Sequence, residues 1–527
     1  MNRRKFIGSV GLWSLSGTIA EVLLESASAA ERSRSGDADP AERPISALQQ
    51  ALARGALTSA ALTTAYLARI ARLDRAGPAL RSVLALNPAA LAAARSLDAE
   101  RRAGHVRGPL HGIPLLIKDN IETCDALPTT AGSRALGDSF HAADAPLVAR
   151  LRAAGAIVLG KSNLSEWANF RSTHSTSGWS AVGGQTRNAY APDRSPSGSS
   201  AGSAVATAAS LCAAAIGSET NGSILAPASL NGVVGLKPTL GLVSGEGIVP
   251  ISPRQDTAGP MGRTVADAAL LAGIIAERPL GYGRHGTDLD AFRLRGVRIG
   301  ALPVPASAHP DVSRLYRDAR QVFEREGAVV VDLTPPAALE EMEGAETEAL
   351  LTEFKDSINR YLARLDPARV AARSLADLIA FNRREAATEM AIFGQELFEM
   401  AEARGPLTDP RYVEALAKLR RGADADGLAV LLGQQDVDLL LAPGNGPAEL
   451  IDSVWGDRDG GGWPSIANAA AIAGYPSLTV PAGLVRGLPT GIVLVGARER
   501  DGLLLQVATA FERAAAARTP PRYPTHA

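Results

Sequence analysis

The sequence predicts an α/β fold with a large, mostly parallel mixed sheet covered by helices on both faces and interrupted by a helical lobe. Short apolar runs bounded by Gly and Pro, such as "GIPLLIKDNI" at 112–121, are typical of buried strands. Helical patterns alternate with these runs, as expected when both faces of a sheet are covered. Between about 310 and 430 the pattern changes to long charged amphipathic helices, and strands return at "DVDLLLAP".

The chain begins with a segment that predicts export. Residues 1–30 contain Arg3-Arg4, a modestly apolar run and small residues at 27–30, which resembles a cleavable twin-arginine signal. Glycines, serines and Glu21 interrupt the run before the ~20 apolar residues that a membrane span needs. We therefore expect an exported, periplasmic or secreted protein without stable membrane insertion. An uncleaved anchor is the alternative.

Residues 31–44 are charged, contain proline and predict a linker. From 45 to 102 the pattern is helical, with Thr58 or Ser59 as the cap of one helix and Asn87-Pro88 at the start of another. Further on we expect a helix at 145–154, a strand at 156–159 and a helix at 203–214. Because the α/β pattern resumes after the lobe, one domain is predicted over 45–515, followed by a tail at 516–527.

Composition restricts the function. The 527 residues are 46% hydrophobic and 21% charged, with a formal net charge of -1. A near-neutral chain does not favour nucleic acid or an anionic membrane as partner, so a small-molecule or peptide substrate is expected. Nothing in the sequence indicates the oligomeric state. Two cysteines, Cys124 and Cys212, do not make a disulfide framework.

One pentapeptide, Gly198-Ser199-Ser200-Ala201-Gly202, fits the G-x-S-x-G elbow of α/β-hydrolases, with Ser200 as nucleophile. That elbow requires a strand leading into the serine. The preceding "NAYAPDRSPSG" is polar and broken by two prolines, so it does not predict a central strand. The sequence therefore does not favour a Ser-His-Asp hydrolase.

A second motif, "GAIVLGKS" at 155–162, fits the G-x-x-x-x-G-K-[ST] pattern of a phosphate-binding loop. Its four middle residues are Ala-Ile-Val-Leu, which are typical of a strand. The glycines therefore bracket a strand, and nucleotide binding is not expected.

A third candidate site combines three distant segments. Lys118 ends a buried run, a serine-rich loop opens a helix at 199–203, and an apolar strand leads into a Gly/Ser turn around Ser223. The chain here resembles the amidase signature family, through "GIPLLIKDNI", "GAIVLGKSNLSEWANF", "SPSGSSAGSAVATA", "GSETNGSILAPASLNGVVGLKPTLGLVS" and "DTAGPMGRTVADAALL". These motifs and "GYPSLTVPAG" stand in the family's order between about 110 and 496.

The resemblance implies a Ser–cisSer–Lys triad and an amide hydrolase without metal or organic cofactor. It places the nucleophile at Ser223, the bridging serine at Ser199, 24 residues earlier, and the base at Lys118. It also implies a cis peptide bond before Ser199.

The implied oxyanion hole consists of backbone amides in the turn Thr220, Asn221, Gly222 and Ser223. The sequence contains no H-E-x-x-H motif or clustered Cys/His ligands that would indicate zinc.

Elementary chemistry agrees with a lysine base. An ordinary lysine has a pKa of ~10.4, so roughly one molecule in 2500 is neutral at pH 7. Burial disfavours the ammonium form, and Lys118 ends an apolar run where such a pKa shift is expected. The alternatives are a Lys118 paired with Asp119, and Lys161 as the base.

The turn departs from the family at two positions. Asn221 stands where glycine is common, and asparagine tolerates left-handed backbone geometry; Leu225 stands where arginine is common. Both features resemble the bacterial peptide amidases, which remove C-terminal amide groups from peptides. The alternatives are a non-catalytic binding protein on this fold and an ammonia-producing component of an amidotransferase.

Bystander roles are expected for several neighbouring residues. Ser200 and Ser203 are predicted to cap the helix that starts beside them. A further set is predicted to fix a loop near the site, namely Asp256, Thr257 and Gly259. Trp463 and Tyr475 either line the pocket or pack elsewhere.

Overall fold

A computed structural model describes residues 40–281, 288–434, 436–458 and 465–523. The predicted export signal at 1–30, most of the linker, Trp463 and the end of the tail lie outside the described residues.

The strands of the described residues form one large sheet and one small hairpin. They are β1 (Val83–Leu86), β2 (Pro114–Lys118), β3 (Ile157–Ser162), β4 (Trp179–Ser180), β5 (Gly184–Gln185), β6 (Ala214–Glu219), β7 (Val234–Lys237), β8 (Thr257–Gly262), β9 (Arg298–Ala301), β10 (Val329–Asp332), β11 (Leu439–Pro443), β12 (Ser477–Val485) and β13 (Leu488–Gly496). Strands β4 and β5 pair only with each other. The remaining eleven run in the order β1-β3-β2-β6-β8-β7-β12-β13-β11-β9-β10.

The α/β class with a mixed sheet is confirmed, but the parallel pairs are confined to two blocks. Strands β3, β2 and β6 are parallel, as are β11, β9 and β10. Between these blocks every pair is antiparallel, from β6–β8 to β13–β11. The tight turn at Arg486 and Gly487, both with positive φ, forces β12 and β13 into a hairpin. The sheet was expected to be mostly parallel. Its centre is antiparallel instead, and a block of parallel strands lies on each side of that centre.

Helices cover both faces of this sheet. They are α1 (Ile45–Ala53), α2 (Ser59–Arg69), α3 (Ala90–Arg102), α4 (Pro146–Ala153), α5 (Ala201–Ala208), α6 (Leu225–Leu230), α7 (Val265–Ile275), α8 (Pro310–Arg325), α9 (Glu343–Arg364), α10 (Leu375–Arg384), α11 (Ala386–Glu389), α12 (Glu396–Glu402), α13 (Pro410–Leu419), α14 (Ala429–Gln434), α15 (Ser465–Ala473) and α16 (Asp501–Ala515). Shorter 3-10 turns lie at Pro40–Glu42, Arg134–Leu136, Glu166–Asn169 and Ala337–Leu339, and π-helical turns at Ile70–Arg75 and Arg420–Leu428.

Local signals explain some helix boundaries. The Thr58 side chain accepts a hydrogen bond from Ala61 N at 3.1 Å, which confirms the predicted cap of α2. The helix expected at 203–214 is shorter than predicted. It ends at Ala208, followed by Ser210 in a left-handed conformation (φ 52°), and β6 already begins at Ala214.

The region from 310 to 430 is not wholly helical. Helix α8 packs on the sheet and β10 extends its edge, so the helical insert starts only at α9. Contacts among three aromatic rings join this insert to the loop after β3. Phe398 on α12 lies 5.5 Å from Trp167 and 5.2 Å from Phe354, measured between ring centroids. The insert is thereby held against the part of the chain that carries the candidate site.

No helix among the described residues is both long and apolar enough to cross a membrane. In the same part of the chain, no three His, Cys, Asp or Glu side chains are grouped to hold a metal ion. The two cysteines are free: Cys124 is exposed and Cys212 is buried.

Candidate active site

Lys118 is the last residue of β2, a strand between β3 and β6 whose five residues are all buried. Its Nζ donates to Ser199 Oγ at 2.8 Å, to Ser218 Oγ at 2.9 Å and to the Ser218 carbonyl at 3.1 Å. These three acceptors match the three hydrogens of a charged Lys118 ammonium group. A neutral amine has two hydrogens and a lone pair, so a serine hydroxyl can then donate to it.

The environment of Lys118 favours the neutral form. Burial lowers its pKa to about 7, although the negative charges of Glu219 and Asp256 oppose this shift. At pH 7 about half of the molecules then carry a neutral amine in contact with Ser199.

Ser199 lies in a constrained loop directly before α5. The peptide bond between Gly198 and Ser199 is cis, as the family resemblance implies. The carbonyl of Ser199 accepts from Ser165 N at 3.0 Å. A Cβ on Gly198 would lie 2.1 Å from Ser165 Oγ, so a larger residue would displace this hydroxyl, which accepts from Gly178 N at 2.9 Å.

Ser200 and Ser203 have partners on β6. Ser200 Oγ donates to the Ser218 carbonyl at 3.0 Å and accepts from Ser218 N at 3.2 Å. Ser203 Oγ donates to the Ile216 carbonyl at 3.1 Å. Both hydroxyls therefore join α5 to β6. Ser200 occupies the N-cap position of α5, but no side chain makes a capping hydrogen bond there. The predicted capping by the Ser200 and Ser203 hydroxyls is therefore wrong, because both hydroxyls bond to the adjacent strand instead.

Ser223 lies in the turn between β6 and α6. Its carbonyl accepts from Ser200 N at 3.1 Å, which joins this turn to the serine-rich loop. Gly222 has a φ of 75°, whereas Asn221 is not among the residues with positive φ. The left-handed position therefore falls on glycine. The tolerance of asparagine for that conformation is not needed here.

The buried carboxylate of Glu219 supports the far side of the turn. Glu219 Oε2 accepts from Ile224 N at 2.7 Å and from Leu225 N at 3.1 Å. Burial raises the pKa of Glu219, while the charge of Lys237 and the amides of Ile224, Leu225 and Gly222 oppose that rise. Burial also lowers the pKa of Lys237 to about 8. The structure thus places a lysine from β7 beside Glu219, and position 225 carries a buried leucine.

The near side of the turn is held by Asp256. Thr220 Oγ1 donates to Asp256 Oδ1 at 2.6 Å, and the amides of Ile251 and Ser252 donate to Asp256 Oδ2 at 2.8 and 2.9 Å. Burial raises the pKa of Asp256 to about 7. The predicted loop-fixing role of Asp256 is thereby confirmed.

A cleft of about 240 Å³ opens beside these segments. Its lining includes Gly198, next to Ser199, together with Asn221 and Gly222, next to Ser223. The two serine segments therefore converge on one cavity. Asn169 and Asn445 also line this cavity.

Two of the alternative residues lie elsewhere. Lys161 is buried and donates to the Ile121 carbonyl at 2.6 Å and to Thr129 Oγ1 at 2.9 Å, but it has no bond to Ser199 or Ser223 within the described chain. Tyr475 donates its hydroxyl hydrogen to Asp424 at 2.7 Å and packs there.

Sequence reasoning missed Ser218 and Asn120. Ser218 Oγ accepts from Lys118 and also from Asn120 Nδ2 at 2.9 Å. Both residues belong to the quoted motifs "IKDN" and "GSET". Their position within those motifs was the available signal.

Comparisons with known proteins find amidases among the relatives of this chain. The family model described as Amidase matches residues 61–505. A probable amidase of Arabidopsis thaliana is 39% identical over 502 residues, which cover 92% of each chain. A glutamyl-tRNA(Gln) amidotransferase component from Chloroflexus aurantiacus is 35% identical and covers 89% of this chain and 96% of its own.

Solved structures are also similar. The native peptide amidase from Stenotrophomonas maltophilia is 48% identical, with a TM-score of 0.84 over 92% of this chain and 99% of its own. A complex of peptide amidase with the competitive inhibitor chymostatin has the same identity and a TM-score of 0.85, over 91% and 99% of the two chains.

Proposed function

The chain belongs to the amidase family and is a hydrolase of carbon–nitrogen bonds in linear amides, and we propose that its substrates are peptides with a C-terminal amide. The 48% identity to peptide amidase structures supports this substrate class. So do the two departures from the common family turn, Asn221 and Leu225, both of which resemble peptide amidases.

The observation that carries the mechanism is the 2.8 Å hydrogen bond between Lys118 Nζ and Ser199 Oγ in a buried site. In the proposed reaction, neutral Lys118 accepts a proton from Ser199, which accepts one from Ser223. The Ser223 oxygen attacks the amide carbonyl as it loses this proton. Burial supplies the neutral amine that the first step requires.

The turn before Ser223 supplies donors for the developing oxyanion. Among the described residues no acceptor takes the amide hydrogens of Asn221 and Ser223. The amide of Gly222 faces the carboxylate of Glu219 instead. We therefore assign the oxyanion chiefly to Asn221 N and Ser223 N.

The same relay completes the cycle. Protonated Lys118 returns its proton through Ser199 to the leaving nitrogen, so that ammonia leaves and an ester joins the acyl group to Ser223. Water then attacks this ester and gives its proton to the relay, which releases the carboxylic acid and restores Ser223.

Ammonia release from the purified chain tests the proposal. Peptide amides are compared with simple carboxamides, and the same peptides as free acids serve as blanks. We expect ammonia from the peptide amides at the higher kcat/KM, and loss of turnover by several orders of magnitude in Ser223→Ala.

Ser200→Ala is the matched control, since Ser200 lies beside the relay but its hydroxyl is bonded to β6. Wild-type turnover in Ser223→Ala together with lost turnover in Ser200→Ala would restore the elbow interpretation. Equal rates on simple carboxamides would contradict the peptide substrate class.

The two alternatives have less support. The amidotransferase relatives are 35% identical, against 48% for the peptide amidases. A non-catalytic protein does not need Lys118, Ser199 and Ser223 together, and this chain retains all three.

We further propose that residues 1–30 direct export by the twin-arginine route. Arg3-Arg4, the apolar run and the small residues at 27–30 support this. Cell fractionation checks it: the wild-type chain should reach the periplasm or medium. A chain with both arginines changed to lysine should stay in the cytoplasm, and equal export of the two chains would contradict the proposal.

A further inference from the structure

The helical insert reaches the turn before Ser223 through one carboxylate. Glu346 lies in the first turn of α9 and is 8% exposed. Its Oε1 accepts from Asn221 Nδ2 at 2.8 Å and from Gln255 Nε2 at 2.9 Å. A single oxygen of the insert therefore joins two separate segments of the site.

Asn221 and Gln255, the two residues that donate to Glu346, each donate a second hydrogen bond. Gln255 Nε2 also donates to the Thr220 carbonyl at 3.3 Å. Asn221 Nδ2 also donates to Asn468 Oδ1 on α15. The two residues that precede Gly222 are thus held by side-chain hydrogen bonds from α9, α15 and the loop before β8.

A second carboxylate of α9 fixes the same loop. Glu353 accepts from Ser252 Oγ, from Arg254 Nε at 2.8 Å and from the Tyr412 hydroxyl at 2.9 Å. Glu346 and Glu353 are seven residues apart, two helical turns, so they lie on one face of α9. This face holds the loop whose Asp256 in turn holds Thr220.

We propose that Glu346 is a positioning residue for attack by Ser223, through which the helical insert holds the oxyanion turn by the side chain of Asn221. This inference rests on the proposed role of Ser223. It assigns a purpose to Asn221, since glycine at that position offers no side chain for the insert to hold. Oxyanion donors stabilise charge only when they are fixed in advance, and displacements of about 1 Å can cost about a hundredfold in rate.

The test uses the full chain and a probe that does not depend on the substrate. An alkyl fluorophosphonate reacts with an activated serine: the serine oxygen bonds to phosphorus, the P–F bond breaks, and the serine proton passes to the base. Mass spectrometry locates the label, and the second-order rate of labelling is measured for each variant. The kcat and KM for ammonia release are measured beside it.

Glu346→Ala removes the tether, whereas Glu346→Gln keeps a carbonyl oxygen that can accept from both partners. Glu348→Ala is the control, because Glu348 on the same helix pairs with Arg404 at 2.9 Å and does not contact the turn. We expect Glu346→Ala to slow labelling of Ser223 and to lower kcat by about 10- to 100-fold, with KM changed less than about threefold. The Gln variant and the Glu348 control should stay within about threefold of wild type.

Asn221→Gly removes the other end of the tether and tests the inference without any change at Glu346. We expect it to lower the labelling rate by about tenfold or more. Where Glu346→Ala folds, adding it to Asn221→Gly should cost less than adding it to the wild-type chain. Wild-type rates in Glu346→Ala, or an equal loss in Glu346→Gln, would overturn the inference. If Ser223 in the wild-type chain is not labelled, the proposed mechanism fails. If Ser223 is labelled but peptide amides are not hydrolysed, only the substrate class fails.

Discussion

The acid limb of the pH–rate profile should report the ionisation of Lys118. The relay needs a neutral amine, and burial lowers the pKa of Lys118 to about 7. An unperturbed lysine would supply roughly one neutral molecule in 2500 at pH 7, so burial provides about a thousandfold more base. Since the ammonium form cannot accept a proton, kcat/KM should fall about tenfold per pH unit below this pKa and level off above it.

The assay is kcat/KM for ammonia release between pH 5 and pH 10, with thermal melts at each pH to separate inactivation from unfolding. Lys118→Ala and Lys118→Arg test the assignment. Alanine offers no base, and a guanidinium stays charged throughout this range. We expect both variants to lose several orders of magnitude in rate at every pH while the fold is retained.

Asp256 is the other group whose ionisation would produce an acid limb in the pH–rate profile, because burial raises its pKa to about 7 as well. Its negative charge favours the Lys118 ammonium form, so Asp256→Asn should move the limb to lower pH. Disappearance of the limb in Asp256→Asn would refute the reasoning. So would a flat wild-type profile between pH 6 and pH 8, or full activity in Lys118→Arg.

Three further substitutions test how the site is supported. Gly198→Ala would put a Cβ 2.1 Å from Ser165 Oγ, so we expect a loss of about 1–3 kcal/mol in unfolding free energy and a lower kcat, by denaturant titration and ammonia release. Arg171→Leu removes the guanidinium 3.2 Å from the fully buried Glu166, whose pKa burial raises to about 8, and the lost buried hydrogen bonds should cost about 1–3 kcal/mol, also by denaturant titration. Asp98→Ala removes a carboxylate that accepts from two amides at the start of α2, and thermal melts should show a loss of about 1 kcal/mol with unchanged kcat. An unchanged unfolding free energy in any of the three would contradict the contact on which its prediction depends.

Local patterns predicted the strands beside Lys118 well. An unbroken run of apolar residues specified β2, and the Ala-Ile-Val-Leu core of "GAIVLGKS" identified β3 as a strand despite its glycines. The antiparallel centre left no comparable pattern. Strand β8 reads "TAGPMG", and its Gly259 is there because a Cβ would lie 2.0 Å from the Leu236 carbonyl. Such close strand contact is a tertiary requirement without local periodicity.

The polar partners of the site were missed for a related reason. Ser218 lies 100 residues from Lys118, and Glu346 lies 125 residues from Asn221. Neither partner stands out locally, since Ser218 is the penultimate residue of β6 and Glu346 is one of many acidic residues in a charged helix. Asn221 was visible only as a departure from a family pattern. The contact made by its side chain depends on the position of α9 beside the turn.

Two adjacent serines show how far a one-residue difference decides chemistry. Ser199 and Ser200 both precede the first residue of α5, Ala201, and their hydroxyls contact different partners. The Ser200 hydroxyl is occupied by the backbone of β6, through both its hydrogen and its oxygen. The Ser199 hydroxyl instead faces the amine of Lys118. The G-x-S-x-G pattern is centred on Ser200 and therefore marks the residue that joins α5 to the sheet. The residue poised to exchange a proton is its neighbour, which the pattern treats as variable.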